Sequence, residues 1–169
     1  SGAPVSLDGM SLQYQSATGS SWSTVVPLPD VTLQPGQYFL FVGKTGTNSD
    51  AASVGEADAT NNALDMAGAG GKVALARSRS AMPADGGASV VDLVGYGSAN
   101  RYEGAVAPAP STVNSLHRAT LGCQDTDNNR DDFSSAPVNG PRRTSSPLQT
   151  CNGGPVVQPI VLTCPAAVQ

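Results

Sequence analysis

Glycine and proline divide this chain into short apolar runs. The 169 residues include 19 glycines and 13 prolines, and the runs between them are rich in β-branched and apolar residues. Clear examples are Lys72–Arg77 and Val90–Gly97. Short strands separated by turn signals are typical of two-sheet antiparallel sandwiches. The sequence therefore predicts an all-β fold, an antiparallel β-sandwich with long loops.

Three segments carry the clearest further predictions of local structure. Residues 10–14 alternate between apolar and polar side chains, which predicts a strand with one face in the core. Gln37–Gly43 is apolar on both faces and ends at a glycine, so we expect it to be the strongest strand of the chain. Residues 44–71 are mostly small or polar, and they predict a long surface loop.

The composition argues against several classes of partner. The formal net charge is -4, and the nine basic residues are scattered along the sequence. A nucleic-acid surface needs basic residues gathered on one face, so direct nucleic-acid binding is not expected. No apolar run approaches the length of a membrane span. Low lysine beside abundant serine, threonine and asparagine is common in exported proteins.

The cysteines indicate a cellular compartment. Cys123 and Cys151 flank a segment rich in proline and asparagine. A disulfide between them would stabilise that segment by roughly 3 kcal/mol and would indicate an oxidising environment. The alternative is a pair of free buried thiols. Cys164 is then a free thiol or pairs outside this chain. We expect a secreted or cell-surface protein.

The most polar stretch of the chain, Gly122–Phe133, predicts either a metal site or a self-bonded loop. Asp125, Asp127 and Asn129 have the 1, 3, 5 spacing of a calcium-binding loop, and Asp131 is a further candidate ligand. The glycine and glutamate that complete an EF-hand loop are missing. Aspartate and asparagine also bond to their own backbone and hold irregular loops in shape without metal. Both alternatives stay open, with calcium as the only cofactor considered.

Catalytic motifs are missing from the sequence. His117 is the single histidine, and it lies in a short predicted strand. None of the common nucleophile, zinc-protease, redox or phosphate-loop motifs occurs. We expect His117 to be a hydrogen-bonded structural residue and Arg118 to pair with a carboxylate of the polar stretch. The sequence therefore predicts a protein without enzymatic activity.

An ordered series of motifs resembles the bacterial lamin-tail domain over residues 4–151. The motifs are Val5–Tyr14, Leu33–Leu40, Gly71–Leu75, Val91–Asn100, Leu116–Arg118 and Asp125–Phe133. This resemblance implies an immunoglobulin-like β-sandwich that serves as a non-catalytic module of secreted proteins. Such modules often precede an extracellular nuclease domain, which makes an accessory role in a nuclease one alternative function.

The two ends of the chain suggest a second alternative. Members of that family usually carry two further strands before the segment that starts here at Ala3. We divide the chain into a sandwich at 1–151, a linker at 152–155, and either an extra strand or the start of another domain at 156–169. The apolar tail residues that a strand would use are Val156, Val157, Ile160, Val161 and Leu162.

The expected function is a structural or interaction module whose partners are copies of itself or an adjacent domain. If the tail fills the place of the missing strands in a neighbouring copy, subunits would join into a filament by β-strand donation. If the tail begins another domain, the module acts as part of a longer secreted protein. The mass of the protein in dilute solution discriminates between these alternatives.

Overall fold

The computed structural model describes residues 2–46, 54–138 and 140–151, and short strands dominate it. Antiparallel pairing prevails and helices are few, so the predicted all-β, sandwich-like fold is confirmed. The strands in chain order are β1 (Val5–Ser6), β2 (Ser11–Ser16), β3 (Thr24–Pro27), β4 (Thr32–Leu33), β5 (Phe41–Val42), β6 (Ala59–Thr60), β7 (Gly70–Ala76), β8 (Val90–Gly97), β9 (Asn114–Arg118) and β10 (Phe133–Pro137). The helical segments are a 3-10 turn (Gly87–Ser89), α1 (Ala119–Gly122) and α2 (Asn129–Asp132).

The main sheet has four antiparallel strands in the order β3-β2-β7-β8. Its register follows from the alternation in the sequence. Leu12 pairs with Leu75, and Tyr14 pairs with Val73, so apolar side chains meet on one face. That face packs into the principal core, where these side chains are almost completely buried. Successive residues point to opposite faces of a strand, so the intervening residues of β2 and β7 face the other side.

Three two-stranded ladders form the layer on the other side of the principal core. They are β1-β4, the parallel pair β5-β6, and β9-β10. Their contribution to the core includes Leu33, Leu116 and Phe133. No strand ladder joins the three pairs to one another within the described ranges of the chain. The fold is therefore a sandwich with one continuous sheet and one divided layer.

The second face of the main sheet is buried too, but it is largely polar. Ser11, Gln13, Gln15 and Lys72 are each no more than 2% exposed. Gln13 is fully hydrogen-bonded there: its Nε2 donates to Ser80 O at 2.9 Å, and its Oε1 accepts from the Met82 amide at 3.0 Å. A small apolar cluster covers the rest of the face; its members are Trp22, Ala74, Ala76, Met82 and Leu93.

The prediction for Gln37–Gly43 was largely wrong, because only Phe41–Val42 forms a strand. The backbone before β5 bonds to its neighbouring strand only at Leu40, whose carbonyl oxygen accepts from the Ala59 amide of β6 at 3.2 Å. The Leu40 amide donates to the Asp58 carboxylate at 2.7 Å, and the Gln37 amide donates to Gln34 O at 2.9 Å. Residues 44–71 also contain more than loop, since β6 and the start of β7 fall in their described part.

The last described segment, residues 140–151, packs back onto the chain around β5. The Arg142 guanidinium lies 4.4 Å from the centre of the Tyr38 ring, and the Thr144 amide donates to Asp58 at 3.0 Å. Further on, the Gln149 amide donates to Gly36 O at 2.8 Å. These contacts give residues 140–151 a defined place although they contain no helix or strand.

Several sequence predictions fall outside the described residues. They are the linker at 152–155 and the tail residues Val156, Val157, Ile160, Val161 and Leu162, together with Cys164. Within the described residues, no helix has the length and apolar character that crossing a membrane requires.

Candidate functional site

The polar stretch singled out in the sequence forms a closed unit, which we call the clasp (residues 118–133). Strands β9 and β10 pair antiparallel, so Arg118 and Phe133 lie opposite each other at its base. Between them the chain passes through α1 and α2. Thr120 and Leu121 have φ of 53° and 56°, in the left-handed region that residues other than glycine rarely adopt. The clasp therefore begins with a sharp, strained reversal.

Asn128 and Asp132 hold the interior of the clasp by accepting hydrogen bonds from its backbone. Asn128 caps α2, with its side-chain oxygen accepting from the Arg130 amide at 3.2 Å. The buried Asp132 carboxylate accepts from the amide and the hydroxyl of Thr126, both at 2.9 Å. Burial by itself raises the pKa of Asp132, but these bonds outweigh it, and the pKa lies below its usual value. Asp132 is therefore a structural carboxylate.

Asn129 connects the clasp to the edge of the main sheet. Its side chain is fully buried, and its Nδ2 donates to Leu93 O at 2.9 Å while its Oδ1 accepts from the Gly95 amide at 2.8 Å. The amide group thus satisfies β8 as a neighbouring strand would. Asn129 Oδ1 also accepts from the Glu103 amide at 3.2 Å, and both of its lone pairs are then occupied.

Arg118 is the buried cation at the centre of the clasp. Its side chain is 2% exposed, and its guanidinium lies 2.6 Å from the carboxylate of Asp92 and 3.1 Å from that of Asp125. Asp132 Oδ2 is 3.9 Å away, and the guanidinium lies 4.5 Å from the centre of the Phe133 ring. The predicted pairing of Arg118 with a carboxylate of the polar stretch is confirmed. Its strongest partner, Asp92, comes from β8.

A cluster of three carboxylates lies on the outer side of the clasp. Ligand oxygens of Glu103, Asp125 and Asp127 all lie within 4.8 Å of one another. Asp127 is one of the few non-glycine residues with positive φ, at 55°. Burial, followed by the negative charges of Asp92 and Asp125, raises the pKa of Glu103 to about 7.

The four predicted calcium ligands have different positions. Asp125 and Asp127 are brought together, with Glu103 as a third member that the sequence did not suggest. Asn129 faces β8 with its oxygen already saturated, and the Asp131 carboxylate accepts from Asn128 Nδ2 at 2.7 Å. The hydrogen bonds match the self-bonded alternative for this loop. An acidic cluster alone does not identify a ligand, and calcium binding stays a prediction that melting with calcium or chelator tests.

The predicted disulfide closes the clasp on the C-terminal side. Cys123 and Cys151 are bonded, with their Cα atoms 5.5 Å apart. Cys123 follows directly after α1, so the bond connects residues 140–151 to the clasp. Loop closure over 28 residues predicts a stabilisation of roughly 3 to 4 kcal/mol in the chain-entropy model.

His117 has the structural surroundings that the sequence predicted. Its Nε2 lies 2.9 Å from the hydroxyl of Ser115, two residues earlier on the same face of β9. Ser115 is 1% exposed, so its oxygen is closed off from a substrate. No carboxylate of the described chain forms an ion pair with His117. These contacts describe a hydrogen-bonded side-chain pair rather than a nucleophile and its base.

Sequence reasoning missed two important members of the site, Asp92 and Glu103. Asp92 had a readable signal, because a lone carboxylate inside the apolar run Val90–Gly97 must find a buried partner. Glu103 had none, since it follows β8 in an irregular loop and meets Asp125 and Asp127 only through the tertiary fold.

These features define the class of the molecule: an all-β protein with a sandwich-like antiparallel fold and a clasp closed by a disulfide. Comparisons with protein-family models, with curated proteins and with solved structures gave no match.

Proposed function

We propose that this protein is a non-catalytic structural or interaction module of a secreted or cell-surface protein. The observation that carries the proposal is the use of the clasp's polar side chains. Asn128, Asn129 and Asp132 are occupied by bonds to the backbone of the chain itself, and Arg118 is buried among carboxylates. Groups saturated in this way hold a fold together and are not free to act on a substrate.

The disulfide supports the secreted or surface location. Disulfides persist in oxidising compartments and are rare in the reducing cytosol. The Cys123–Cys151 bond holds residues 140–151, a segment without regular structure, in place. With two free thiols, only a few hydrogen bonds would hold this segment.

The resemblance to the bacterial lamin-tail domain supports the same proposal. Three of its motifs overlap strands of the main sheet (β2, β7 and β8), two lie on β9 and in the clasp, and Leu33–Leu40 begins at the end of β4. In that family the sandwich is usually a non-catalytic module, and an accessory role beside an extracellular nuclease is the corresponding alternative. The net charge of -4 favours anchoring or spacing over direct contact with nucleic acid.

A second candidate function is self-assembly by β-strand donation, and one observation favours it. The layer opposite the main sheet is divided into three ladders, and core side chains on that layer are only partly covered. They are Val5, Val31, Phe39 and Phe41. An added strand from the apolar tail of a neighbouring copy would join ladders and cover such residues.

The mass of the protein in dilute solution tests both candidates. We expect the full chain and a chain without residues 155–169 to sediment as monomers, as a module does. The matched control is Val161→Asp, which keeps the tail's length but interrupts its apolar run. Assembly of the full chain that is lost in both variants would overturn the module proposal and favour strand donation.

A nuclease assay on the full chain tests the non-catalytic part of the proposal. We expect no cleavage of single- or double-stranded DNA, with or without divalent metal. Cleavage that disappears in a His117→Ala variant would contradict the proposal, because it would assign a chemical role to the single histidine.

A further inference from the structure

The chain has two lysines, and their surroundings differ completely. Lys44 is exposed, and its ammonium lies 2.6 Å from the carboxylate of Asp65. Lys72 is 0% exposed on the second face of the main sheet. Its ammonium donates to two uncharged oxygens, Gly19 O at 2.9 Å and Asn100 Oδ1 at 2.5 Å. In the described ranges, no carboxylate lies within ion-pair distance of it.

An unpartnered donor lies beside this ammonium. Gln15 is the direct cross-strand partner of Lys72, so the two side chains are neighbours on one face. Gln15 is 2% exposed, and its Nε2 group has no hydrogen-bond acceptor in the described structure. A buried donor without an acceptor costs roughly 1–3 kcal/mol. In the described structure, the Gln15 amide therefore lacks a hydrogen-bond acceptor, and the Lys72 ammonium lacks a negative counter-charge.

Arg101 adds a second positive charge near Lys72. Its guanidinium donates to the carbonyl oxygens of Ala84 and Asp85, which are uncharged. Burial, and then the charge of Arg101, lowers the pKa of Lys72 below its usual value. We call the side chains of Gln15 and Lys72, which are cross-strand neighbours on one face, the donor cluster.

We propose that the donor cluster is a binding site for a small oxyanion, such as a phosphate, sulfate or carboxylate group. An oxyanion supplies what the cluster lacks: a negative charge beside the Lys72 ammonium, and acceptor oxygens for the unpartnered Gln15 amide. A buried ammonium without a counter-charge is costly, because it loses hydration without gaining an ion pair. Anion binding removes that cost.

The cover over the site determines how an anion enters. Lys72 is enclosed by the turn at residues 16–20 and by Asn100, whose amide donates to Ala17 O at 2.9 Å. A Cβ at Gly19 would lie 2.9 Å from the Gln15 side chain, so a glycine is needed for the turn to lie flat on the cluster. Because Lys72 is fully buried beneath them, the proposal requires this turn or Asn100 to move before an anion can bind. The proposal is independent of whether the protein acts as a module or a filament subunit.

Thermal melting at constant ionic strength tests the proposal, with sodium phosphate and sodium sulfate compared against sodium chloride. We expect saturating phosphate or sulfate to raise Tm of the wild-type protein by about 2 °C or more. The shift should vanish in Lys72→Met and persist in Lys44→Met, the matched control. A sodium acetate arm, and a peptide with a free C-terminal carboxylate, distinguish a carboxylate source from an inorganic ion.

A direct measurement keeps the proposal falsifiable if Lys72→Met does not fold. Lysine labelled with nitrogen-15 gives two side-chain signals, because the chain has two lysines. We expect phosphate, sulfate or acetate to shift the Lys72 signal saturably and to leave that of Lys44 unchanged. Equal small shifts of both signals, or a melting effect that survives in Lys72→Met, would overturn the proposal and indicate general salt effects.

Discussion

Two buried cations of this protein have opposite surroundings. Arg118 is 2% exposed in the clasp. Its guanidinium lies 2.6 Å from the Asp92 carboxylate and 3.1 Å from that of Asp125, and it packs against the Phe133 ring. Lys72 is 0% exposed on the second face of the main sheet, and its partners are a carbonyl and a side-chain amide. Among the described residues, the first charge has carboxylate partners and the second has none.

The comparison shows how differently one fold can surround two buried cations. An arginine among carboxylates gains charge-assisted hydrogen bonds that offset much of its lost hydration. A lysine that bonds only to uncharged oxygens keeps most of that penalty. Burial alone does not mark a stabilising residue, and the position of counter-charges decides whether a buried cation holds a structure together or leaves a site unfilled.

The largest expected effect is that of removing the compensated cation. Arg118→Met leaves the Asp92 carboxylate buried and unpaired, so we expect a loss of about 3–5 kcal/mol in the free energy of unfolding. Denaturation in urea measures it. The control is Arg79→Met, whose exposed pair with Asp8 contributes less than about 1 kcal/mol. If both variants lose equally little, the buried pairing has no structural importance.

The second-largest loss of stability should come from removing the hydrogen bonds of Asn129 between the clasp and the main sheet. Asn129→Ala leaves the Gly95 amide and the Leu93 carbonyl without partners at a buried edge, which should cost about 2–3 kcal/mol. Denaturation gives the total, and amide hydrogen exchange at Gly95 should become faster. Asn62→Ala, at an exposed position, is the control. Unchanged exchange at Gly95 would show that Asn129 does not hold this edge.

Removing the cation without counter-charge should have a smaller net effect. Lys72→Met removes the cost of the buried charge but leaves Gly19 O and Asn100 Oδ1 without their donor, so we expect stability at pH 7 to change by less than about 1 kcal/mol. The pKa of Lys72 is lowered in the fold, so the unfolded chain binds more protons between that pKa and the ordinary value of 10.5. Wild-type stability should therefore gain a contribution as pH rises through this window.

The matched comparison for this charge is Lys44→Met, which removes an exposed lysine. The pH-dependent contribution should be missing from Lys72→Met and retained in Lys44→Met. Lys72→Met destabilised by several kcal/mol at pH 7 would contradict the view of Lys72 as an uncompensated charge.

The smallest expected effect concerns the acidic cluster beside the clasp. The pKa of Glu103 is raised to about 7, above its ordinary value of 4.5, so the folded state binds more protons between these two values. The contribution of this group to stability is therefore full below about pH 4.5 and is lost as pH rises through 7. Glu103→Gln should remove this pH-dependent loss and raise the free energy of unfolding by under about 1 kcal/mol at pH 8.

Melting temperatures at pH 4 and pH 8 measure this effect. The difference between Glu103→Gln and wild type should grow between the two values, whereas Glu56→Gln, an exposed acid paired with Arg143, should show no such gain. A Glu103→Gln variant that is equally shifted at both pH values would show that the carboxyl does not titrate near neutrality.

The sequence predicted those parts of the fold that depend on local pattern. Alternation placed β2, and the apolar runs placed β7 and β8, while the Cys123–Cys151 bond followed from spacing and surroundings. The strand predicted at Gln37–Gly43 was mostly wrong, because several of its backbone groups bond to a side chain and to turns, and a local sequence pattern does not predict such partners.

The sequence predicted where the site lies but not all of the residues that form it. The polar stretch and the pairing of Arg118 could be read from the sequence, whereas Glu103 comes from a separate loop. Strand β10 was missed as well, because Phe133 is its one buried side chain and the serines and proline that follow give no strand-like alternation. Asn129 had the spacing of a calcium ligand, yet its amide is turned toward β8, and only the tertiary fold determines that direction.

The disulfide also determines how tension on the chain would be distributed. Residue 152 follows directly on Cys151, whose sulfur is joined to Cys123 at the end of α1. A pull on the chain beyond Cys151 is therefore carried covalently to the clasp, and the hydrogen bonds of residues 140–150 are spared most of the load. From Cys123 the covalent path continues through α1 into β9, while β10 lies inside the loop that the disulfide closes. We therefore expect tension from beyond Cys151 to enter the fold at Cys123.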